Sequence, residues 1–289
     1  MRRWMLAAVV AGMAQGAQAA DLPDLSDLPI LRGGITDGLS HSAVNWQGAY
    51  VGGQVGYSSA NMDFSKATSS LTSFLYQNIR YASTVSNWTL LGKSSPTSTS
   101  FGGFVGYNAQ WDDVVLGIEA NYSRLSGLNG SATNSLPSIN IPQGCTAPPP
   151  ATTDICGIQL SGTAAAKVTD VLTLRGRAGW AIDNFMPYMF AGLALGRADI
   201  TRTATTVETN DYYNSTTGKY VQSDPPLVQS TTQGGGGTFV YGYTAGLGLE
   251  AMLIGGVFAR AEYEYVKFTN IKDISINIST VRAGVGYKF

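Results

Sequence analysis

Glu262 and Glu264 stand two residues apart with Arg260 just before them, so a single strand face would carry all three charges. Two carboxylates so close can share a proton or pass a cation. Arginines gathered around them would instead lock the pair into a fixed ionic cluster. Other stretches supply the partners, because the same alternate-residue spacing puts Glu119, Arg175, Arg177, Glu250 and Arg282 on the polar faces of their own segments, with Gln54, Asn108, Gln110 and Asn121. Four glutamates against four arginines nearly cancel. This balance favours a hydrogen-bonded ionic plug, and the proton or cation pathway stays open as the alternative.

Other chemistry finds little support. The single histidine, His41, lies in the stretch 21–45 ahead of the first strand, away from the loops where a nucleophile or base would be needed. The glycine run Gly234 to Gly237 is followed by Thr238 and Phe239, without the Lys-Ser/Thr that a phosphate loop requires. Asn87-Trp88-Thr89 matches an N-glycosylation pattern of a kind so common in polar loops that nothing is built on it. Cys145 and Cys156 are a local pair in a Pro- and Thr-rich stretch and lack the tight spacing of redox or metal pairs; in an exported chain they predict a loop-pinning disulfide. No catalytic, cofactor-binding or metal-binding residues are expected. A formal charge of -1 gives no electrostatic reason to expect nucleic acid.

The elements that must hold these charges are strands. From Asn277 to Phe289 the chain puts Val281, Ala283, Val285, Tyr287 and Phe289 on one face and Thr280, Arg282, Gly284, Gly286 and Lys288 on the other. A strand closing a barrel in a bilayer would turn the first set to lipid and the second inward. Val285, Tyr287 and Phe289 read as the assembly signal of such a barrel. At the other end, Met1-Arg2-Arg3, the apolar run Trp4 to Ala14 and the small residues Ala17-Gln18-Ala19 form a secretory signal peptide over 1–19. No stretch reaches the roughly 20 apolar residues of a spanning helix. Charged residues make up 13% of the chain, low against about 25% in soluble domains.

Alternation and turn residues define eight segments, near 46–60, 98–111, 114–128, 163–181, 185–203, 238–252, 256–269 and 277–289. Charge fixes the register of most, because a basic side chain moved to the lipid face near the midplane costs about 2 to 4 kcal/mol. The facing of 185–203 stays open, since Met189, Ala191, Leu193 and Leu195 oppose Tyr188, Phe190, Gly192 and Ala194 and neither set is polar. Glycines recur at inward positions in Val51-Gly52-Gly53-Gln54-Val55-Gly56-Tyr57 and Phe101-Gly102-Gly103-Phe104-Val105-Gly106-Tyr107, a sign of tight curvature or close packing. The connections alternate between short turns at Asp112-Asp113, 182–184 and 253–255 and long polar stretches at 61–97, 129–162 and 204–237. The fold expected is all-β: a closed eight-stranded antiparallel transmembrane β-barrel over 46–289, with long extracellular loops and a periplasmic linker over 20–45. Its interior is just wide enough for side chains to fill.

The chain resembles the small alphaproteobacterial outer-membrane surface proteins of the opacity or porin-like type. The likeness rests on Ala20-Asp21-Leu22-Pro23 after the signal peptide, Trp46-Gln47-Gly48-Ala49-Tyr50-Val51-Gly52, Leu174-Arg175-Gly176-Arg177-Ala178-Gly179-Trp180, Pro187-Tyr188 with Gly192-Leu193-Ala194, and the ending Val281 to Phe289. The resemblance implies an outer-membrane location and a structural or surface-contact role without enzymatic activity. Its implied partners are outer-membrane lipids and lipopolysaccharide, the barrel-assembly machinery, and a host or environmental ligand at the loops. Tyr76, Tyr81, Trp88, Tyr212, Tyr213 and Tyr220 are candidate contact groups there. A narrow porin passing ions or small solutes is the alternative.

Overall fold

The computed structural model describes residues 44–71, 90–142, 154–214, 216–222 and 225–289. The expected signal peptide and most of the linker, with His41, lie outside the described residues, as do Tyr76, Tyr81, Trp88 and Cys145. In the described chain, alternating residues form β1 (Gly48–Asp63), β2 (Lys93–Ser94), β3 (Thr97–Trp111), β4 (Val114–Ser135), β5 (Ile139–Pro142), β6 (Asp154–Trp180), β7 (Phe185–Asn214), β8 (Lys219–Gln222), β9 (Leu227–Ile254), β10 (Val257–Phe268) and β11 (Ser275–Lys288). Eight of these pair in the order β6-β4-β3-β1-β11-β10-β9-β7, and β7 pairs back onto β6, so the sheet closes on itself. Every pairing is antiparallel, and the ring closes between first and last strands from Tyr50↔Lys288 to Asp63↔Ser275. Closure removes free edges within the ring, while β4 beyond Leu125 and β9 before Gly242 extend past their pairing with β3 and β10. β2, β5 and β8 are short additions at the end opposite the tight turns.

Those tight turns are short because their residues accept unusual backbone angles. Asp112 and Asp183 have φ of 51° and 49°, and Gly255 and Gly256 have φ of 58° and 87°. Two consecutive positive φ values match the twist of a two-residue hairpin, which glycine reaches without steric cost.

The other end departs from expectation. Residues 129–162 and 204–237 are largely strand rather than loop: β4 continues to Ser135, β6 begins at Asp154, β7 continues to Asn214 and β9 begins at Leu227. At roughly 3.3 Å per residue, the 30 residues of β7 run on the order of 100 Å, whereas about ten residues suffice for a spanning strand. The β6–β7 pair is continuous in direction from Gly179↔Tyr188 to Asp154↔Tyr212, with one register shift between Val168 and Asp170.

What changes along these strands is polarity. In the half nearer the tight turns, Val55, Ile118, Leu174, Met189, Leu193, Leu247 and Val281 point outward and exposed, and charged side chains are buried inside. Exposed aromatics bound this apolar belt, with Tyr107, Trp111, Trp180, Phe185 and Tyr287 at the turn end and Tyr57, Phe101, Tyr122, Phe239, Tyr241 and Tyr263 at the other. In the far half the inside becomes apolar, with Met62, Phe64, Leu90, Leu128, Leu160, Val168, Ile200, Phe268 and Ile276 in one buried cluster. The outside there is polar, with Ser131, Thr133, Thr163, Thr201 and Thr232 exposed.

Candidate functional site

Each charged position inside the belt follows from the period of two. Glu119 on β4, Arg175 and Arg177 on β6, Glu250 on β9, Arg260, Glu262 and Glu264 on β10 and Arg282 on β11 all point inward and are at most 4% exposed. Register brings them to one level, for Glu119 pairs with Arg175, Glu250 with Arg260, and Glu262 with Arg282.

Glu119 is the hub of the cluster. Its Oε1 accepts from Arg175 Nη2 at 2.5 Å and Arg260 Nη1 at 3.1 Å; its Oε2 accepts from Arg260 Nη2 at 2.8 Å, Arg177 Nη1 at 3.3 Å and the Tyr50 hydroxyl at 2.8 Å. Glu250 takes Arg260 Nη2 at 2.5 Å and Arg177 Nη2 at 2.8 Å. Glu262 takes Arg175 Nη2 at 2.6 Å and accepts the Tyr188 hydroxyl proton. Glu264 pairs with Arg282 and accepts from Thr244 Oγ1 at 2.9 Å. Arg282 Nη1 donates to Asn121 Oδ1 at 2.9 Å, and Gln54 and Asn121 exchange hydrogen bonds at 2.8 and 3.1 Å. Glu262 and Glu264, the pair whose spacing suggested proton sharing, thus each face arginine.

Aromatic rings that the charge pattern did not reveal fill the space around these ions. The Arg260 guanidinium lies 3.8 Å from the Phe104 ring centre, Arg175 lies 3.9 Å from that of Phe190, and Arg177 lies 4.0 Å from that of Tyr188. Such stacking favours a desolvated cation. It also settles the facing of β7, with Tyr188, Phe190 and Ala194 inward and Met189, Leu193 and Leu195 outward. A signal for these rings was present in the glycines. Tyr50 sits across from Gly106, Phe104 from Gly52, Tyr188 from Gly248, Phe190 from Gly246 and Phe258 from Gly286. A side chain at any of these glycines would run into the facing ring.

The plug is closed above and below. On the tight-turn side, Trp46, Val115, Ala181, Met186, Tyr188 and Phe190 form a buried apolar cluster. On the far side, the stretch after β1 folds into the barrel mouth, where Phe64, Ala67, Leu71, Leu90 and Leu91 are buried. Arg202 secures it by donating to the carbonyls of Ala67 and Lys272, both at 3.0 Å, and pairing with Asp273 at 3.3 Å.

Residues 5–289 match the family described as outer membrane protein beta-barrel domain. The chain belongs to that family. Its apolar belt is therefore the lipid-facing surface of an outer-membrane β-barrel, and its plug and cap lie inside that barrel. Among relatives, the 25 kDa outer-membrane immunogenic protein of Brucella ovis is 26% identical over 199 residues, covering 69% of this chain and 68% of that protein. The 22 kDa outer membrane protein of Rhizobium leguminosarum bv. viciae is 24% identical over 200 residues, covering 65% and 66%. The crystal structure of Neisserial surface protein A aligns at 16% identity over 83% of this chain and 97% of that one, with a TM-score of 0.33, a likeness that carries no functional argument.

Two other expectations concern the last strand and the cysteines. Val285 and Tyr287 face lipid on β11, and the Tyr287 and Phe289 rings meet edge-on at 5.2 Å. The Cys145–Cys156 bridge has no support: Cys145 lies outside the described residues, and Cys156 is described through its backbone, paired with Ile141 and Asn210.

Proposed function

We propose that this barrel is a non-conducting anchor that raises a surface for contact well above the outer membrane, and that it is not an enzyme. The observation carrying this reading is the stack inside it: an apolar floor around Trp46, an ion cluster at most 4% exposed, and an apolar cap around Phe64. Ions cross a barrel through a polar path, and two apolar layers interrupt this one. The absence of enzymatic chemistry is supported by the four plug glutamates, each held by at least two arginines. Lipids of the outer membrane, lipopolysaccharide and the barrel-assembly machinery are its proposed partners, with an external ligand at the raised end. Tyr213 and Tyr220 meet there in an edge-on pair at 5.4 Å with both rings exposed, a form suited to contact.

Planar-bilayer recording of the purified full chain tests the reading. No reproducible conductance steps are expected from the parent protein or from Phe64→Ala. Steps in the parent whose size changes in Glu262→Gln would overturn it in favour of a narrow porin.

A further inference from the structure

Where the apolar belt ends, three neighbouring strands turn basic. Arg124 on β4 and Arg197 on β7 flank Asp170 on β6 in one register row, and Lys167 on β6 lies just above it, paired with Asn129 and Asp199. Adjacent strands lie about 4.8 Å apart, so the Arg124 and Arg197 backbones are roughly 10 Å from each other. All three cationic side chains point outward and are exposed, directly above lipid-facing Tyr122, Leu172 and Leu195. Two acids stand among them: Asp170, which accepts the Tyr122 hydroxyl proton at 2.6 Å and feels both Arg124 and Arg197, and Asp199, which accepts from the Gly237 N–H at 2.5 Å, so three cations face two carboxylates and the group keeps a positive balance. Outside the plug, the ion pairs among the described residues are Lys93–Asp63 and Arg202–Asp273, so none uses Arg124, Lys167 or Arg197. On β1, β3 and β11 the outward positions above the apolar belt are Ser59, Thr97, Thr99 and Ser279, and on β10 Lys267 stands there without a second cation beside it on its strand.

Above the cations the same wall becomes a lattice of hydroxyls. Thr133, Thr163, Thr203 and Thr232 stand in one register row across β4, β6, β7 and β9. Ser135, Ser161, Thr205 and Ser230 form the next. These rows line an open depression, and a second one containing Ser131, Lys167, Asp199 and Thr201 lies beneath it. From the membrane outward, one wall therefore offers apolar contact, positive charge and then hydroxyl groups.

We propose that this wall docks a phosphorylated saccharide lipid of the surrounding leaflet, with acyl chains on Leu172 and Leu195, phosphate at Arg124, Lys167 and Arg197, and sugar on the hydroxyl rows. Two observations select this occupant: positive charge meets an anionic headgroup, and the surface is continuous with the lipid-facing belt. The inference rests on the outer-membrane anchoring and is independent of whether the barrel conducts.

The test places the full chain in phosphatidylcholine nanodiscs doped with an acylated glucosamine disaccharide bearing two phosphates, or with its phosphate-free counterpart. Native mass spectrometry then counts the lipid retained. The parent is expected to retain the phosphorylated form preferentially. With about fivefold per basic residue near a membrane surface, R124A/K167A/R197A should lower retention by roughly tenfold or more, while K267A on β10 should change it little. Equal retention by parent and triple variant, or of both disaccharides, would overturn the proposal. Equal retention of phosphatidylglycerol would remove the sugar from it, and displacement by millimolar glucosamine 1-phosphate would make the site one for free phosphate. Heat-dependent migration on gels checks insertion; should the triple variant fail to shift, the milder R124Q/R197Q takes its place. A parent that failed to shift would overturn the anchoring itself, a result distinct from any loss of lipid retention.

Discussion

The two halves of this barrel solve opposite solvation problems with one backbone. Where lipid surrounds it, apolar residues point out and charge is buried; beyond the lipid, β4, β6, β7 and β9 carry on without a break, and the pattern inverts to hydroxyls outside and aliphatic side chains within. Strand pairing is indifferent to this change, because the ladder hydrogen bonds are the same in both media. The side chains alone record where the membrane stops, at the level where Tyr122 gives way to Arg124 and Leu195 to Arg197. The lower half is held by charge matching and the upper half by packing, so each should fail in its own way.

The sharpest break should come from the plug. In Glu119→Gln the shape is kept while three arginines lose a shared counter-charge, and removing one partner of a buried ionic group costs about 3 to 5 kcal/mol. Urea unfolding in detergent, followed by heat-dependent gel migration, should show that loss; a variant within 1 kcal/mol of the parent would mean water or a bound ion compensates for the missing charge. In the upper half the comparable injury is a cavity. Met62 is fully buried in the apolar cluster, and Met62→Ala should cost about 2 to 5 kcal/mol by lost burial and unfilled space. If packing is what holds that half, protease cleavage of the extension should rise in Met62→Ala while the gel shift of the lower barrel persists.

These contrasts explain what the sequence disclosed. The lower half was legible where a strand carries charge on one face only within the belt, so Glu119, Arg175 and Arg260 fix the register of β4, β6 and β10 without any knowledge of the fold. Facing on β7 was not legible, since its inward Tyr188 and Phe190 are aromatic in a polar interior, and their reason for being there is the arginine plane each one stacks on. The upper strands were hidden by composition. Ser, Thr and Gly dominate 129–162 and 204–237 and mark loops by the usual rules, yet the period of two persists in Ile158 and Leu160 on β6 and in Ala204 and Thr206 on β7, all buried. The alternation is there with its polarity reversed, so a pattern of outward apolar residues does not mark it.

One substitution made twice on the same face of the same strand isolates the change of medium. Met189 points out from the belt and Thr203, fourteen residues on, points out from the raised wall. Met189→Arg should cost about 2 to 4 kcal/mol near the midplane, while Thr203→Arg should stay within about 0.5 kcal/mol, as surface changes do. Equal costs measured in lipid would place the boundary of the membrane elsewhere on β7.

The smallest effect concerns a carboxylate at the outer end of β1. Asp63 is held below the usual carboxylate range chiefly by hydrogen bonds from Ser65, whose backbone N–H donates at 3.0 Å, and in lesser part by Lys93 at 3.4 Å. A depressed carboxylate stabilises the folded state above its unfolded pKa of about 4, and that contribution is lost as pH falls through the lower folded value. Being partly exposed and open to screening by solvent, the group should contribute no more than about 1 kcal/mol. Asp63→Asn should therefore remove a small part of the stability difference between pH 7 and pH 3, read by urea unfolding at both. The plug in the lower half has no such contact with solvent at its core, so the titration of Asp63 should report on the mouth of the barrel while leaving the ion cluster unchanged.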